Sequence, residues 1–321
     1  MCGYPEIESQ NIMKRTLILF FLLLCGGVAV FAQNQYNFNN YIANQGLLNP
    51  AYNGSRDVIS GLLVNRSQWI GFEGAPTVSA LNVHGAIEET NLGIGGMIIN
   101  DHLGFSNTLD FMAAGSYKLE FDRGEKILML GLQMGLTSMV YDGTKAITAR
   151  FGDPVFAGKE SKVFFNSGFG AYFYTNDYFL GYSIPKFFSH NFDEQSEQFK
   201  NKLDFKNMHM YIYGGYVFEW GEVKVRPTLL TKYVYGAPMQ IDLSTSVLLA
   251  DVLWLGLSYR TVSEAVFFMD YQISRQFTLR YSFDYSFSPV AQWAKAGSHE
   301  IGLQFDFSFY KRAGMKTIRH W

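Results

Sequence analysis

The residues able to do chemistry in this chain are sparse and poorly placed for it. The histidines are His84, His102, His190, His209, His299 and His320. None has a second ligand at a metal-binding spacing. Asp101-His102 is the nearest approach to such a pair. No G-x-S-x-G elbow occurs. Gly93-Ile94-Gly95-Gly96 and Gly131-Leu132-Gln133-Met134-Gly135 lack the strand-to-helix setting of a nucleotide loop, and read as small residues on a sheet wall. Only two cysteines exist, Cys2 and Cys25, and both fall near the amino end. The expectation is therefore no catalytic residue, no metal site and no cofactor, hence not an enzyme. What remains is charge. Lys224, Arg226, Lys232, Asp242, Arg260, Asp270, Arg280 and Asp284 each fall on the polar face of an alternating segment. Two readings of that set stay open: mutual neutralisation along a wet interior wall, or a docking surface for an inserted partner segment.

The elements that must position those charges alternate with period two. Residues 276–287 read QFTLRYSFDYSF. Phe277, Leu279, Tyr281, Phe283, Tyr285 and Phe287 fall on one face of a strand, and Thr278, Arg280, Ser282, Asp284 and Ser286 on the other. Residues 240–249, 253–260 and 301–309 repeat the pattern. An all-large-apolar face opposite a polar one, recurring down the chain, suits a sheet closed on itself in lipid. Register is then strongly specified, because a slip by one residue turns Arg280 and Asp284 outward. A lipid-facing Arg costs ~2–4 kcal/mol at the bilayer midplane.

Fourteen strand-like segments are predicted, near 58–69, 77–87, 91–100, 106–118, 125–141, 162–174, 177–183, 207–219, 223–234, 239–249, 252–261, 264–273, 276–286 and 298–309. With the first strand taken as outward, the turns at one end are all short. The long connections, 142–161 and 184–206 above all, fall at the other end. A soluble sandwich has no reason to sort its loops this way, whereas an outer-membrane barrel with both termini periplasmic does. The fold class expected is all-β, a transmembrane antiparallel barrel. Residues 58–69 are less tidy: Leu62, Leu63 and Val64 occupy both faces, so an inner segment is expected to pack there. Trp69 and Trp293 near outer strand ends, with Trp220 and Trp254 near inner ends, read as interfacial anchors. Phe307 and Phe309 close the last strand in the manner of a barrel-assembly signal.

Residues 1–32 read as a signal peptide: Lys14-Arg15, an apolar run from Thr16 to Val30, then Val30 and Ala32 before a cleavage. Met13 is an alternative start. Residues 33–56 form a periplasmic or plug segment, 57–310 the outer-membrane barrel, and 311–321 a basic periplasmic tail. The charges of the leader cancel, so the net charge stays at −2 and gives no footprint for nucleic acid. The aromatic share of 17% is better spent facing lipid than water.

Several words in the chain resemble a known family. Asn49-Pro50-Ala51-Tyr52-Asn53-Gly54-Ser55, Arg66-Ser67-Gln68-Trp69, Gly74-Ala75-Pro76, Gly236-Ala237-Pro238, Leu255-Gly256-Leu257-Ser258-Tyr259-Arg260 and Gly297-Ser298-His299-Glu300-Ile301 are similar, in order and spacing, to the PorP/SprF family of type IX secretion membrane proteins. The resemblance runs from about Asn39 to Phe309. It implies an outer-membrane barrel of the type IX secretion or gliding machinery. Its implied partners are outer-membrane lipid, the C-terminal domain of a secreted cargo such as an adhesin, and periplasmic secretion or peptidoglycan-linked proteins. It supplies no catalytic residues. The alternative reading is a general diffusion porin for small solutes.

Overall fold

A backbone amide inside hydrocarbon finds no water to bond, so a sheet that spans a membrane must close on itself. The computed structural model, which describes residues 36, 38–56, 58–145, 158–193, 198–221, 223–261, 264–287 and 296–307, shows that closure. The strands are β1 (Ile59–Ser67), β2 (Thr77–Ala86), β3 (Leu92–Leu103), β4 (Ser106–Phe121), β5 (Lys126–Asp142), β6 (Lys159–Tyr174) and β7 (Tyr178–Ile184). A separate hairpin follows, β8 (Phe188–Asp193) with β9 (Gln198–Leu203). The wall resumes with β10 (Met210–Tyr216), β11 (Phe218–Trp220), β12 (Val223–Tyr233), β13 (Gln240–Leu249), β14 (Leu253–Arg260), β15 (Glu264–Gln272), β16 (Phe277–Ser286) and β17 (Ser298–Phe307).

Each wall strand pairs antiparallel with the next, and β10 pairs with both β7 and β12. β1 pairs with β17, with Ile59 opposite Phe307, and closes the ring. β10 and β11 are one wall strand broken at Val217, both halves lying against β12. The result is a closed antiparallel barrel of 14 strands, the number and type the alternation predicts.

The faces follow the pleat. On β13 and β14, Leu243 and Leu257 are exposed on the outer surface while Asp242, Ser244, Ser246, Ser258 and Arg260 are buried inside. The connections sort by end. At one end they are short, and Asp122-Arg123 and Ala250-Asp251 both have positive φ at two successive residues. Such primed turns match the twist of the strands they join. The other end carries the long connections and the β8–β9 hairpin.

Some details differ from the expectation. β3 and β4 run on to a tight reversal at 104–105, where a five-residue loop was expected. Gly104, at φ +58, allows the turn. β6 starts at Lys159, not at 162. The strand expected over 207–219 breaks because Val217 turns inward and its amide donates to the Asp177 carbonyl at 2.7 Å. Trp254 is not an interfacial anchor: it points into the barrel, and the Arg226 guanidinium lies 4.1 Å above its ring. Trp220 is outward and exposed, whereas Trp293 lies outside the described residues. Phe307 ends β17 against Phe277, while Phe309, the tail and the leader also lie outside them. So does most of the 142–161 connection.

Residues 38–56 do not join the wall. They hold one short helix, α1 (Gln45–Leu48), and a 3-10 turn at Pro50–Tyr52 whose start is capped by Asn49, with the Ala51 amide donating to Asn49 Oδ1 at 2.9 Å.

The outward face yields a first test. Leu257→Arg places a cation in mid-strand where the side chain is 67% exposed on the lipid side. Urea unfolding of the barrel in lipid vesicles should show a loss of ~2–4 kcal/mol. A change near zero would mean that this face is not immersed in hydrocarbon.

Candidate functional site

The interior of the barrel is occupied by the chain's own residues 38–56, together with Tyr36. Their contacts reach β2, β4, β6, β7, β12 and β15 to β17, nearly the whole circumference. The direction of travel is set by register. Phe38 and Asn39 meet Arg260, Glu300 and Arg66, near the long-loop ends of β14, β17 and β1. Gly54 donates to His84 Nδ1 at 3.1 Å, and Arg56 pairs with Asp306 at 2.8 Å, near the short-turn ends of β2 and β17. The segment therefore threads the lumen from the long-loop mouth to the short-turn mouth.

One side of the passage is ionic. Arg66, fully buried, lies 2.8 Å from Asp284 and 3.9 Å from Glu300, and also donates to Asn39 Oδ1. The amides of the threaded segment complete those carboxylates. The Asn39 backbone amide donates to Glu300 at 2.7 Å and its side chain to Asp284 at 2.8 Å. Asn44 donates to Glu300 at 3.2 Å, and Asn40 to Asp270 at 2.8 Å. Asp270 in turn receives Arg280 at 2.8 Å. Arg260 bridges Asp242 at 3.0 Å and Glu264 at 2.5 Å, with Lys232 3.8 Å from Asp242. Buried charge survives only when paired and hydrogen-bonded. Here neutral amides supply the bonds that the ion pairs leave over.

The other side is apolar and aromatic. Tyr41, Ile42, Leu48, Ala51 and Tyr52 pack into a cluster with Ile127, Met129, Tyr172, Tyr174, Tyr211 and Tyr213. Phe38 and Leu47 pack against Val64, Val78, Ala80, Met97, Ile99 and Met112. Inward apolar residues on β1 to β4 thus serve as half of a core whose other half is the threaded segment.

Glycines let the segment approach the wall. A Cβ on Gly131 would stand 2.3 Å from the Ala51 amide nitrogen, and one on Gly170 would stand 1.9 Å from Asn49 Oδ1. Gly95 and Gly93 face Asn53 in the same way, at 2.3 and 2.5 Å. The Asn49-to-Gly54 turn is pressed onto bare backbone of β3, β5 and β6. Asn49 also donates to the Ala171 carbonyl at 3.0 Å and to Tyr213 Oη at 3.1 Å. The two best-formed cavities left among the described residues, beside Asn40 and Glu300 and beside Gly46 and Asn82, are no bigger than about one water molecule.

Seven of the eight charges singled out in the sequence are on this inner wall. Arg226, Lys232, Asp242, Arg260, Asp270, Arg280 and Asp284 lie on β12 to β16, facing in. Lys224 stands apart at the short-turn end, 3.1 Å from Glu219. Sequence reasoning left Arg66, Glu264, Glu300 and Asp306 out of the charged set, although each falls in the inward phase of its strand. It also missed Asn39, Asn40 and Asn44, which carry no periodic signal. The glycines were visible, but their tie to Asn49-to-Gly54 was not, since contact across such sequence separations leaves no local trace.

Two substitutions test the packing. Arg66→Met strands Asp284 and Glu300 without their cation and should cost ~3–5 kcal/mol in unfolding free energy. Gly131→Ala should cost ~1–3 kcal/mol, because backbone and not a flexible side chain stands in the way. Gly115→Ala, which opens onto free space, should be near neutral. Equal effects of the two glycine changes would contradict the close approach.

Solved barrels of similar outline include the Acinetobacter baumannii outer membrane protein Omp33, at 9% identity over 78% of this chain and 99% of that one, with a TM-score of 0.44. The KdgM porin in complex with disordered oligogalacturonate matches at 8% identity over 78% and 99%, with a TM-score of 0.36. A mutant of the Rh. blastica porin matches at 9% identity over 78% and 99%, with a TM-score of 0.34. Likenesses this distant carry nothing about what the present barrel binds or passes. No curated protein matches the chain. The family model for the type IX secretion system membrane protein PorP/SprF, in contrast, matches residues 30–305, which include the threaded segment and nearly all of the wall. A closed barrel with that family match is seated in the outer membrane. The chain belongs to the PorP/SprF family of type IX secretion system membrane proteins.

Proposed function

We propose that this barrel is a non-enzymatic component of type IX secretion that helps to export a cargo protein, or to hold its C-terminal domain at the cell surface. The cargo is of the adhesin class, and gliding is the process served where the cell glides. The observation that carries the reading is the filled lumen. A diffusion porin needs an aqueous path, and the charged wall that would select solutes is already neutralised and covered by residues 38–56. The barrel is thus free to act as a fixed platform in the membrane. We place the long-loop end outside the cell, as short periplasmic turns and longer outer loops are the rule for such barrels. The β8–β9 hairpin then stands at the outer mouth and is the element offered to the cargo domain. The basic tail at 311–321 is assigned to periplasmic secretion or peptidoglycan-linked partners.

Replacing the hairpin, residues 188–203, by a short Gly-Ser turn tests the platform. Whole cells carrying this variant should keep the barrel but lose one or a few large surface proteins, read by mass spectrometry of protease-shaved cells. An unchanged surface set together with slower uptake of small solutes would sink the platform reading in favour of the porin.

A further inference from the structure

The connection that leads from β7 into the outer hairpin does not leave the barrel directly. It first folds over the inner face of β5 and β6. Gln133 donates to the Pro185 carbonyl at 2.7 Å, and the Phe187 amide donates to the Ser167 carbonyl at 2.8 Å. Asn166 donates to the Phe188 carbonyl at 3.0 Å and accepts from the Phe188 amide at 3.3 Å. Gly168 permits this, since a Cβ there would stand 2.2 Å from the Pro185 carbonyl oxygen. Held in that position, Lys186 reaches over β5 to β4. Its Nζ lies 2.5 Å from Asp110 Oδ2 on β4 and donates to Tyr36 Oη at 3.3 Å, with the Tyr36 ring centroid 5.0 Å away. Tyr36 and Thr137 both donate to Asp110, which is fully buried.

We propose that Lys186 is a latch on the threaded segment: it ties the base of the outer hairpin to the outer end of that segment, so that the barrel stays closed until the hairpin connection is displaced. Three parts meet in one ion pair: the wall through Asp110, the segment through Tyr36, and the hairpin connection through Lys186. The two ends of the segment are held differently. The Asn49-to-Gly54 end is pressed onto glycine backbone and packed among aromatics. The Tyr36 end also packs beside Phe38 on the apolar face of β1 to β4, but its remaining ties are an ion pair and hydrogen bonds, and the Lys186 side chain is still 22% exposed, so water can replace those bonds at the mouth. Loosening begins at the latch.

Conductance of the purified barrel in planar bilayers reads this directly, with heat-modifiable gel mobility as the check that each variant has folded. The full chain should open rarely. Deletion of residues 36–56 should give a steady open pore. Lys186→Met should raise the frequency of openings at least about tenfold, since the change removes the bonds to both Asp110 and Tyr36 and one hydrogen bond to a charged group already accounts for that factor. Lys186→Arg should restore the quiet behaviour. If Lys186→Met does not fold, Tyr36→Phe, which removes the hydroxyl at the same junction, should give the same rise. A silent deletion variant would overturn the closed-lumen premise. Openings in Lys186→Met or Tyr36→Phe no more frequent than in the full chain would overturn the latch. The latch rests on the filled lumen that also carries the platform reading, but quiet Lys186→Met and Tyr36→Phe barrels beside an open deletion variant sink the latch alone, so the two failures remain separable.

Discussion

Hydrocarbon accepts no hydrogen bond, and most of this molecule follows from that. Every amide of the wall must find its carbonyl on a neighbouring strand, so β1 must meet β17 and β7 must pair with β10 once the β8–β9 hairpin has left the sheet. Closure fixes two surfaces at once. Residues of one parity face lipid and must be apolar. Those of the other parity face a space shielded from lipid, and charge is tolerated there only when compensated.

A barrel of this girth encloses more room than its wall side chains fill. The chain solves this with its own residues 38–56, and the solution divides the lumen. Over β5 to β12 the segment is embedded in Tyr172, Tyr174, Tyr211, Tyr213 and Leu230, and it behaves as the centre of a hydrophobic core. Over β14 to β17 and β1 it meets carboxylates and guanidinium groups, and it contributes amides. The glycines of β3, β5 and β6 belong to the first arrangement: backbone against backbone is the closest approach two segments can make.

The fold was largely legible in the sequence, and the reason is specific. Where the inner face is ionic, as on β13, β14, β16 and β17, strict alternation survives, because Asp242, Arg260, Asp284 and Gln304 cannot face lipid. Where the threaded segment packs through Phe38 and Leu47, the inner face is apolar too. Val64, Val78, Met97 and Ile99, with the buried Leu62 beside them, therefore blur the pattern. The mixed faces of β1 were a trace of the segment lying upon them. The hairpin left no such trace, since its strands pair with each other and not with the wall. The charges could be read as an inner wall, but not their partners. Asn39 and Glu300 are 261 residues apart, and Asn40 and Asp270 are 230 apart.

The ionic wall is close to self-sufficient. Arg280 with Asp270, Arg260 with Asp242 and Glu264, and Arg66 with Asp284 are pairs between wall residues alone. With the segment absent, those pairs would remain and water would take the place of Asn39, Asn40 and Asn44. The aromatic side has no such fallback, because Tyr172, Tyr211 and Tyr213 would expose ring surface that nothing else in the lumen covers. The two halves of the lumen therefore differ in kind: the ionic half can exchange its occupant for water at modest cost, and the aromatic half cannot. Any motion of the segment should accordingly pivot on the Asn49-to-Gly54 turn and swing its Tyr36 end, which draws Phe38 off the apolar face of β1 to β4 and breaks the tie to Lys186.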